Sequence, residues 1–167
     1  MTLVALSLGS NMGNRLDNLR RAVALMKPLG NITGRSAVYE TPPWGMETQP
    51  RFLNACVLIE TGEPPKMLLD KLKEIERTVG RVPRERWGPR EIDIDILIYG
   101  DEVINEIELK IPHPLMRERN FVLVPLSEIA PDMKIPPDGR QVSGVARKFF
   151  GNREKTNDDE IIKITQL

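Results

Sequence analysis

The chain has 167 residues, 40% of them hydrophobic, and its 24 basic and 24 acidic side chains cancel. A chain of this length buries roughly two-thirds of its unfolded surface around one core, and balanced charge excludes the global positive field that recruits duplex nucleic acid or an anionic membrane. Small-molecule partners are expected instead. Cys56 is the only cysteine, so no internal disulfide forms, and its neighbours Ala55, Val57 and Leu58 predict a buried reduced thiol. Met1 leads straight into a strand-like run without a charged leader pattern, and no apolar stretch approaches the ~18 residues of a membrane span. The expected setting is the cytoplasm.

Residues 2–8 read as a buried strand, and Gly9-Ser10-Asn11-Met12-Gly13-Asn14 as the turn that feeds a helix. In that helix Leu16, Leu19, Val23 and Met26 recur at spacings of three and four, and Pro28-Leu29-Gly30 ends it. Ile32 to Glu40 and Phe52 to Glu60 are strand candidates. Between them, the prolines of segment 41–50 rule out a hydrogen-bonded ladder. Pro64-Pro65 opens a second helix with Leu68, Leu72, Ile75 and Val79 inward and Gly80 as its stop. A strand at 91–99 follows, and Gly100-Asp101 turns the chain into Val103 and Ile104, with Leu109 to Ile111 in position to pair. Segments 121–129 and 142–149 predict short helices and 151–160 a polar linker, while Ile161-Ile162-Lys163-Ile164 is either a further strand or a frayed end. The order β-α-β-β-α-β over 2–99 is the split-βαβ, ferredoxin-like arrangement of an α+β protein: a mostly antiparallel sheet with helices on one side and extra short helices after it. One domain over 1–150 and a polar tail over 151–167 are expected. Such a scaffold hosts many unrelated functions, so the loops must decide.

Arg77, Arg81, Arg84, Arg86 and Arg90 place five guanidinium groups in fourteen residues, with no lysine among them. Each is a planar fork that matches phosphate oxygens in pairs, although Arg77 on the helix and Arg86 beside Glu85 can equally be solvated or salt-bridged. Directly afterwards, Asp93 and Asp95 stand two positions apart. On a strand they share one face while Ile92, Ile94, Ile96 and Ile98 share the other. Alone, the acid pair could be the solvent side of an edge strand. Beside the arginines it becomes the negative half of a site for a metal-bound polyphosphate, since Cα atoms roughly 6.5–7 Å apart let carboxylates converge on cations about 3.5–4 Å apart. Trp87, flanked by Gly88-Pro89, is either an anchor on the body or a lid over a bound ring. His113 lies between two prolines on a stiffened turn, as a structural hydrogen-bonder or a phosphate ligand. Arg119 offers another phosphate fork and Phe121 a stacking face. Phe52 can be core or ring contact, and Asn54, polar in an apolar strand, needs partners that a heterocycle's edge would supply.

Gly9-Ser10-Asn11, Tyr39-Glu40-Thr41-Pro42-Pro43, Phe52-Leu53-Asn54-Ala55, Gly80-Arg81, Arg86-Trp87-Gly88-Pro89-Arg90, Asp93-Ile94-Asp95 and Pro112-His113-Pro114 occur in this order. Through these blocks the chain, from about residue 2 to 138, resembles the 6-hydroxymethyl-7,8-dihydropterin pyrophosphokinases of folate biosynthesis. The resemblance implies two Mg²⁺ ions and transfer of the β,γ-diphosphate of ATP to the pterin's hydroxymethyl oxygen, leaving AMP. It implies that Asp93 and Asp95 hold the metals, with Asp95 near the attacking hydroxyl, and that Arg81 and Arg90 are catalytic arginines of a mobile loop. ATP contacts fall by the same likeness on Glu76, Arg84, Trp87, Ile96, His113 and Arg119. The pterin pocket falls on Thr41, Pro42, Trp44, Phe52, Asn54 and Phe121, with Phe52 and Phe121 sandwiching the ring. A monomer with no nucleic-acid or membrane partner is expected. Two other classes fit the fold: a single-stranded RNA module, against which the zero net charge weighs, and a nucleotide sensor without turnover.

Overall fold

The computed structural model describes residues 1–44, 48–150 and 161–167. Strand β1 (Thr2–Ser10) runs into helix α1 (Arg15–Met26), which starts where the Asn14 side chain accepts from the Asp17 N–H at 3.1 Å and caps the first turn. Leu19, Val23 and Met26 are its buried stripe. A second strand is expected as one piece, but two are found, β2 (Asn31–Arg35) and β3 (Ala37–Thr41), both paired with β4 (Phe52–Thr61). Ser36 makes the break. Arg35 lies opposite Val57 and Tyr39 opposite Asn54, so four steps on one side meet three on the other, a bulge. The Ser36 N–H donates to Cys56 O at 2.9 Å, its Oγ accepts from the Cys56 N–H at 2.8 Å, and its hydroxyl donates to Ala37 O at 2.7 Å. A buried bulge is thereby fully satisfied.

Helix α2 (Pro65–Val79) opens on proline and stops at Gly80, whose φ of 125° suits a residue without a Cβ. Strand β5 (Asp93–Tyr99) closes the main sheet, in the order β10 (Ile162–Gln166), β3, β4, β1, β5, with every pairing antiparallel. The core strands therefore follow the ferredoxin-like order. The end of the expected tail is a sheet strand, while the expected 151–160 linker and residues 45–47 of the proline-rich loop lie outside the described residues. Small hairpins join β6 (Ile104–Asn105) to β7 (Lys110–Ile111) and β8 (Lys134–Ile135) to β9 (Arg140–Gln141), the second unanticipated. Helices α3 (Asn120–Ile129) and α4 (Val142–Ala146) stand near their expected places. No helix among the described residues is long and apolar enough to cross a membrane.

Both faces of the sheet carry helices, which corrects the one-sided expectation. On the first, Leu6, Leu8, Val57, Ile94 and Ile96 pack under the stripes of α1 and α2. On the second, Ala5, Cys56, Leu58 and Leu97 pack under Val122, Leu123 and Leu126 of α3 and Val142 of α4. The expectation for Ile98 also needs correcting. Leu6 lies opposite Ile96 but Ala5 opposite Ile98, so Leu97 is an extra residue, and the alternation reverses there. Ile98 consequently joins Ala5 in the second core, away from Ile92, Ile94 and Ile96.

The second face is only half covered. Register across β4, β1 and β5 aligns Asn54, Gly9 and Asp93 in one row and Cys56, Ser7 and Asp95 in the next. Directly opposed residues share a face, so the polar ends of these rows project beyond the reach of α3. Removing the Ser36 hydroxyl, at the buried hinge of this sheet, strands the Cys56 N–H. Ser36→Ala should cost about 1–3 kcal/mol, seen as a lower urea midpoint at unchanged slope.

Candidate active site

The uncovered half of the sheet is the floor of a cavity of about 480 Å³, lined by Gly9, Asn54, Asp93 and Asp95. Its walls are the end of α2 with the arginine loop (Glu76, Arg81, Arg86, Trp87, Arg90) and, across from it, Thr41, Pro42, Trp44, Phe52, His113, Arg119 and Phe121.

Gly80 turns the chain sharply at the end of α2, so the N–H groups of Gly80 and Arg81 both donate to Glu76 O, at 3.2 and 3.0 Å. That reversal brings Arg81 back over the acids. Its guanidinium donates to Glu76 Oε2 at 2.6 Å and to Asp93 Oδ1 at 2.9 Å, and the Ile94 N–H gives Glu76 Oε2 a further bond at 2.8 Å. Burial, and then the charge of Asp93, still push the Glu76 carboxyl up to about 7 against the pull of Arg81. Deep burial followed by the charge of Asp93 raises Asp95 well above the usual carboxylate range, with Arg119 opposing. Two acids on one strand face thus crowd each other, and the arginines around them offset the crowding.

His113 extends the edge of β5 through its N–H, which donates to Leu97 O at 2.9 Å. The Leu115 N–H donates to His113 Nδ1 at 3.1 Å, which leaves the ring proton on Nε2. That nitrogen faces Asp95 Oδ2 at 3.9 Å. Burial, with Arg119 second, lowers the His113 pKa to about 4. The ring is therefore a neutral donor aimed into the cavity.

Arg119, 7% exposed, stands among three rings, its guanidinium carbon 5.4 Å from the centroids of Trp44, Trp87 and Phe121. Trp44 meets Phe121 edge-on at 5.9 Å. The Arg119 Nε has no hydrogen-bond partner among the described residues, and burial pulls its pKa down while Asp95 and Asp93 oppose. It is a cation held by ring faces beside the acids. Further along, the Asn54 Nδ2 donates to Thr41 Oγ1 at 2.6 Å. A Cβ on residue 9 would sit 2.9 Å from Asn54 Oδ1, so only glycine leaves room there.

Every residue that the resemblance assigned to ATP, pterin or metal lines this cavity except two. Arg84 turns away, its guanidinium donating to both Glu91 carboxylate oxygens at 2.6 Å, and Ile96 lies in the core under α2. Of the two arginines offered a bland reading, Arg77 bridges exposed to Glu74 at 3.0 Å, whereas Arg86 lines the cavity with its guanidinium 4.9 Å from the Trp87 ring. The sequence reading missed Gly9, Leu69, Lys73 and Glu108 as lining residues. Leu69 and Lys73 could have been found, because with Glu76 they stand at i, i+4 and i+7 on one helix face. Among the described residues no cluster of three or more His, Cys, Asp or Glu is suited to a metal. Asp93 and Asp95 alone fit a hard cation that keeps waters and takes its other ligands from phosphate, as Mg²⁺ does.

Comparison with known proteins is consistent along the chain. Residues 5–131 match the family model for 7,8-dihydro-6-hydroxymethylpterin-pyrophosphokinase. A 2-amino-4-hydroxy-6-hydroxymethyldihydropteridine pyrophosphokinase from Aquifex aeolicus is 46% identical over 136 residues, 81% of this chain and 85% of the relative. The protein of the same name from Haemophilus influenzae is 42% identical over 155 residues, 92% of this chain and 96% of the relative. A crystal structure of a single-substitution variant of Plasmodium falciparum HPPK-DHPS with pteroate has a TM-score of 0.73 at 19% identity, covering 89% of this chain but only 43% of that one, and bears on the fold alone. The family match spans most of the chain and the two bacterial relatives cover 81% and 92% of it, so the chain belongs to the 7,8-dihydro-6-hydroxymethylpterin-pyrophosphokinase family.

Proposed function

We propose that this pyrophosphokinase joins its two substrates in the single cavity over β1, β4 and β5. The hydroxymethyl oxygen of 6-hydroxymethyl-7,8-dihydropterin attacks the β-phosphorus of ATP, the bond from that phosphorus to the α-phosphate oxygen breaks, and AMP leaves. One observation carries the reading. The same cavity offers acids and arginines at one end and aromatic rings at the other, with Arg119 beside both.

At the polyphosphate end, Arg81, Arg90 and Arg119 are forks for phosphate oxygens, and the Nε2–H of His113 is a neutral donor. Two Mg²⁺ ions brought in with ATP to Asp93 and Asp95 would neutralise phosphate charge. Arg81 covers Asp93 in the free protein through the same Nη1 that donates to Glu76, so nucleotide binding must transfer this guanidinium from the Asp93 carboxylate to phosphate. Asp95 orients the attacking hydroxyl. At the ring end, Phe52 and Phe121 stack on the pterin, Trp44 closes the edge, and Thr41, Pro42 and Asn54 frame it, with Asn54 reading its polar rim. Trp87, on the opposite wall, excludes water, which strengthens every charge contact beneath it. One chain supplies all these groups, which favours a monomer, and a lone buried thiol suits the reducing cytoplasm.

Incubation with ATP, Mg²⁺ and the reduced pterin should yield AMP, followed by phosphorus NMR; ADP as the nucleotide product would sink the reading. Asp95→Asn should keep the fold, because it relieves repulsion from Asp93, yet slow turnover by about a hundredfold or more. A near-normal rate would remove Asp95 from the reaction. For His113, an NMR titration of metal-free protein should place the imidazole midpoint near pH 4, below its ordinary 6.5. The unfolded chain binds the extra proton between those two values, so this group's contribution is complete above pH 6.5 and is lost as the pH falls towards 4. A midpoint left near 6.5 would show an exposed ring.

A further inference from the structure

Helix α3 presents Phe121, Val124 and Glu128 at i, i+3 and i+7, one line along its surface. Phe121, at the start, lines the cavity. Val124 packs in one apolar cluster with Ala37 and Tyr39 of β3. Glu128, two turns beyond Phe121, holds the same strand with both carboxylate oxygens: Oε1 accepts from the Ala37 N–H at 2.9 Å and Oε2 from the Tyr39 hydroxyl. β3 in turn delivers Thr41 to the cavity. Strand and helix therefore run side by side, clasped at the ends remote from the cavity, and neither Tyr39 nor Glu128 lines it.

The clasp bears on Phe121 because α3 is jointed. Pro125 lies inside the helix and has no N–H to donate to Phe121 O, so the turn that carries this ring lacks a rung of the helical ladder. A helix interrupted in this way does not by itself hold its two ends in line. Tyr39 spans the joint, grouped with Val124 before the proline and bonded to Glu128 after it. The phenol, 9% exposed, is also the direct cross-strand neighbour of Asn54, in the row that continues to Gly9 and Asp93. Burial, and then the hydrogen bond to Glu128, push its pKa above the ordinary value, so the hydroxyl remains a donor at neutral pH.

We propose that Tyr39 and Glu128 are positioning residues for the pterin: they splint α3 against β3 and so set the gap between Phe121 and Phe52 that the ring fills. The inference rests on the reading of the aromatic end of the cavity as the pterin pocket. Arg81, Asp93 and Asp95, at the polyphosphate end, stand on the arginine loop and β5, which the splint does not touch. Its loss should therefore be felt by the pterin and not by the nucleotide.

The test is a calorimetric titration of the full chain, first with Mg²⁺ and α,β-methylene-ATP, in which carbon replaces the oxygen of the bond to be broken, and then with 6-hydroxymethyl-7,8-dihydropterin on the nucleotide-loaded protein. Glu128→Ala removes both bonds and should weaken pterin binding by about tenfold or more, with nucleotide affinity within about twofold of the wild type. Tyr39→Phe removes one bond, keeps the ring, and should weaken the pterin by about threefold to tenfold. In Glu128→Gln the amide oxygen accepts from the Ala37 N–H and the amide nitrogen donates to the Tyr39 oxygen, so pterin affinity should return to within about threefold of the wild type. If Glu128→Ala does not fold, Tyr39→Phe decides. Unchanged pterin affinity in the folded variants overturns the splint, and so does an equal loss of both ligands or a Glu128→Gln no better than Glu128→Ala. A wild type that binds the nucleotide analogue but no pterin overturns the reading of the aromatic end, and the splint with it.

Discussion

The site exists because β5 turns two carboxylates towards a sheet face that α3 does not reach. Strand geometry makes the choice binary: a slip of one residue would bury Asp93 and Asp95 under α2 and put isoleucines in the cavity. The apolar side of β5, locked into the first core by Ile94 and Ile96, therefore fixes the direction of its acids. Gly9 supports this from the next strand. Lying between Asn54 and Asp93 in one row, it leaves the Asn54 amide the space that a Cβ would take.

Such acids are costly neighbours. The fold offsets their repulsion with Arg81, shared between Glu76 and Asp93, and with Arg119 wedged among rings. A guanidinium packed against aromatic faces sheds water without needing a full set of hydrogen-bond partners, which suits a cation that must later meet phosphate. The Glu76 carboxylate meanwhile does structural work, accepting from the Ile94 N–H where β5 begins. Its high pKa follows from burial and the charge of Asp93, which outweigh the lowering by Arg81 and by the Ile94 N–H.

Much of this was legible in sequence because it is local. Strand alternation at 93–96, proline before α2 and glycine after it are rules of one or two turns of chain, and each holds. Ile98 escaped because the bulge at Leu97 arises from pairing with β1, and nothing in the residues 93–99 by themselves announces it. Ser36 escaped similarly: its hydroxyl stands in for a ladder that only β4 defines. Arg84 pairs with Glu91 at 2.6 Å instead of facing the cavity, and a run of arginines does not say which will find such a partner. The Tyr39 and Glu128 contact joins segments 89 residues apart, beyond any periodicity.

A sheet built this way still has ends where unpaired backbone could recruit a stranger. On one side His113 and the strand it follows lie against β5. On the other the last strand, β10, is five residues long, carries Lys163, and slips register between Lys163 and Thr165. Brevity, a projecting ammonium and a kinked ladder each discourage a second polypeptide from zipping on. The C-terminal residues thus act as a selvedge along β3, disfavouring edge pairing between neighbouring copies there, while the working surface stays open to solutes.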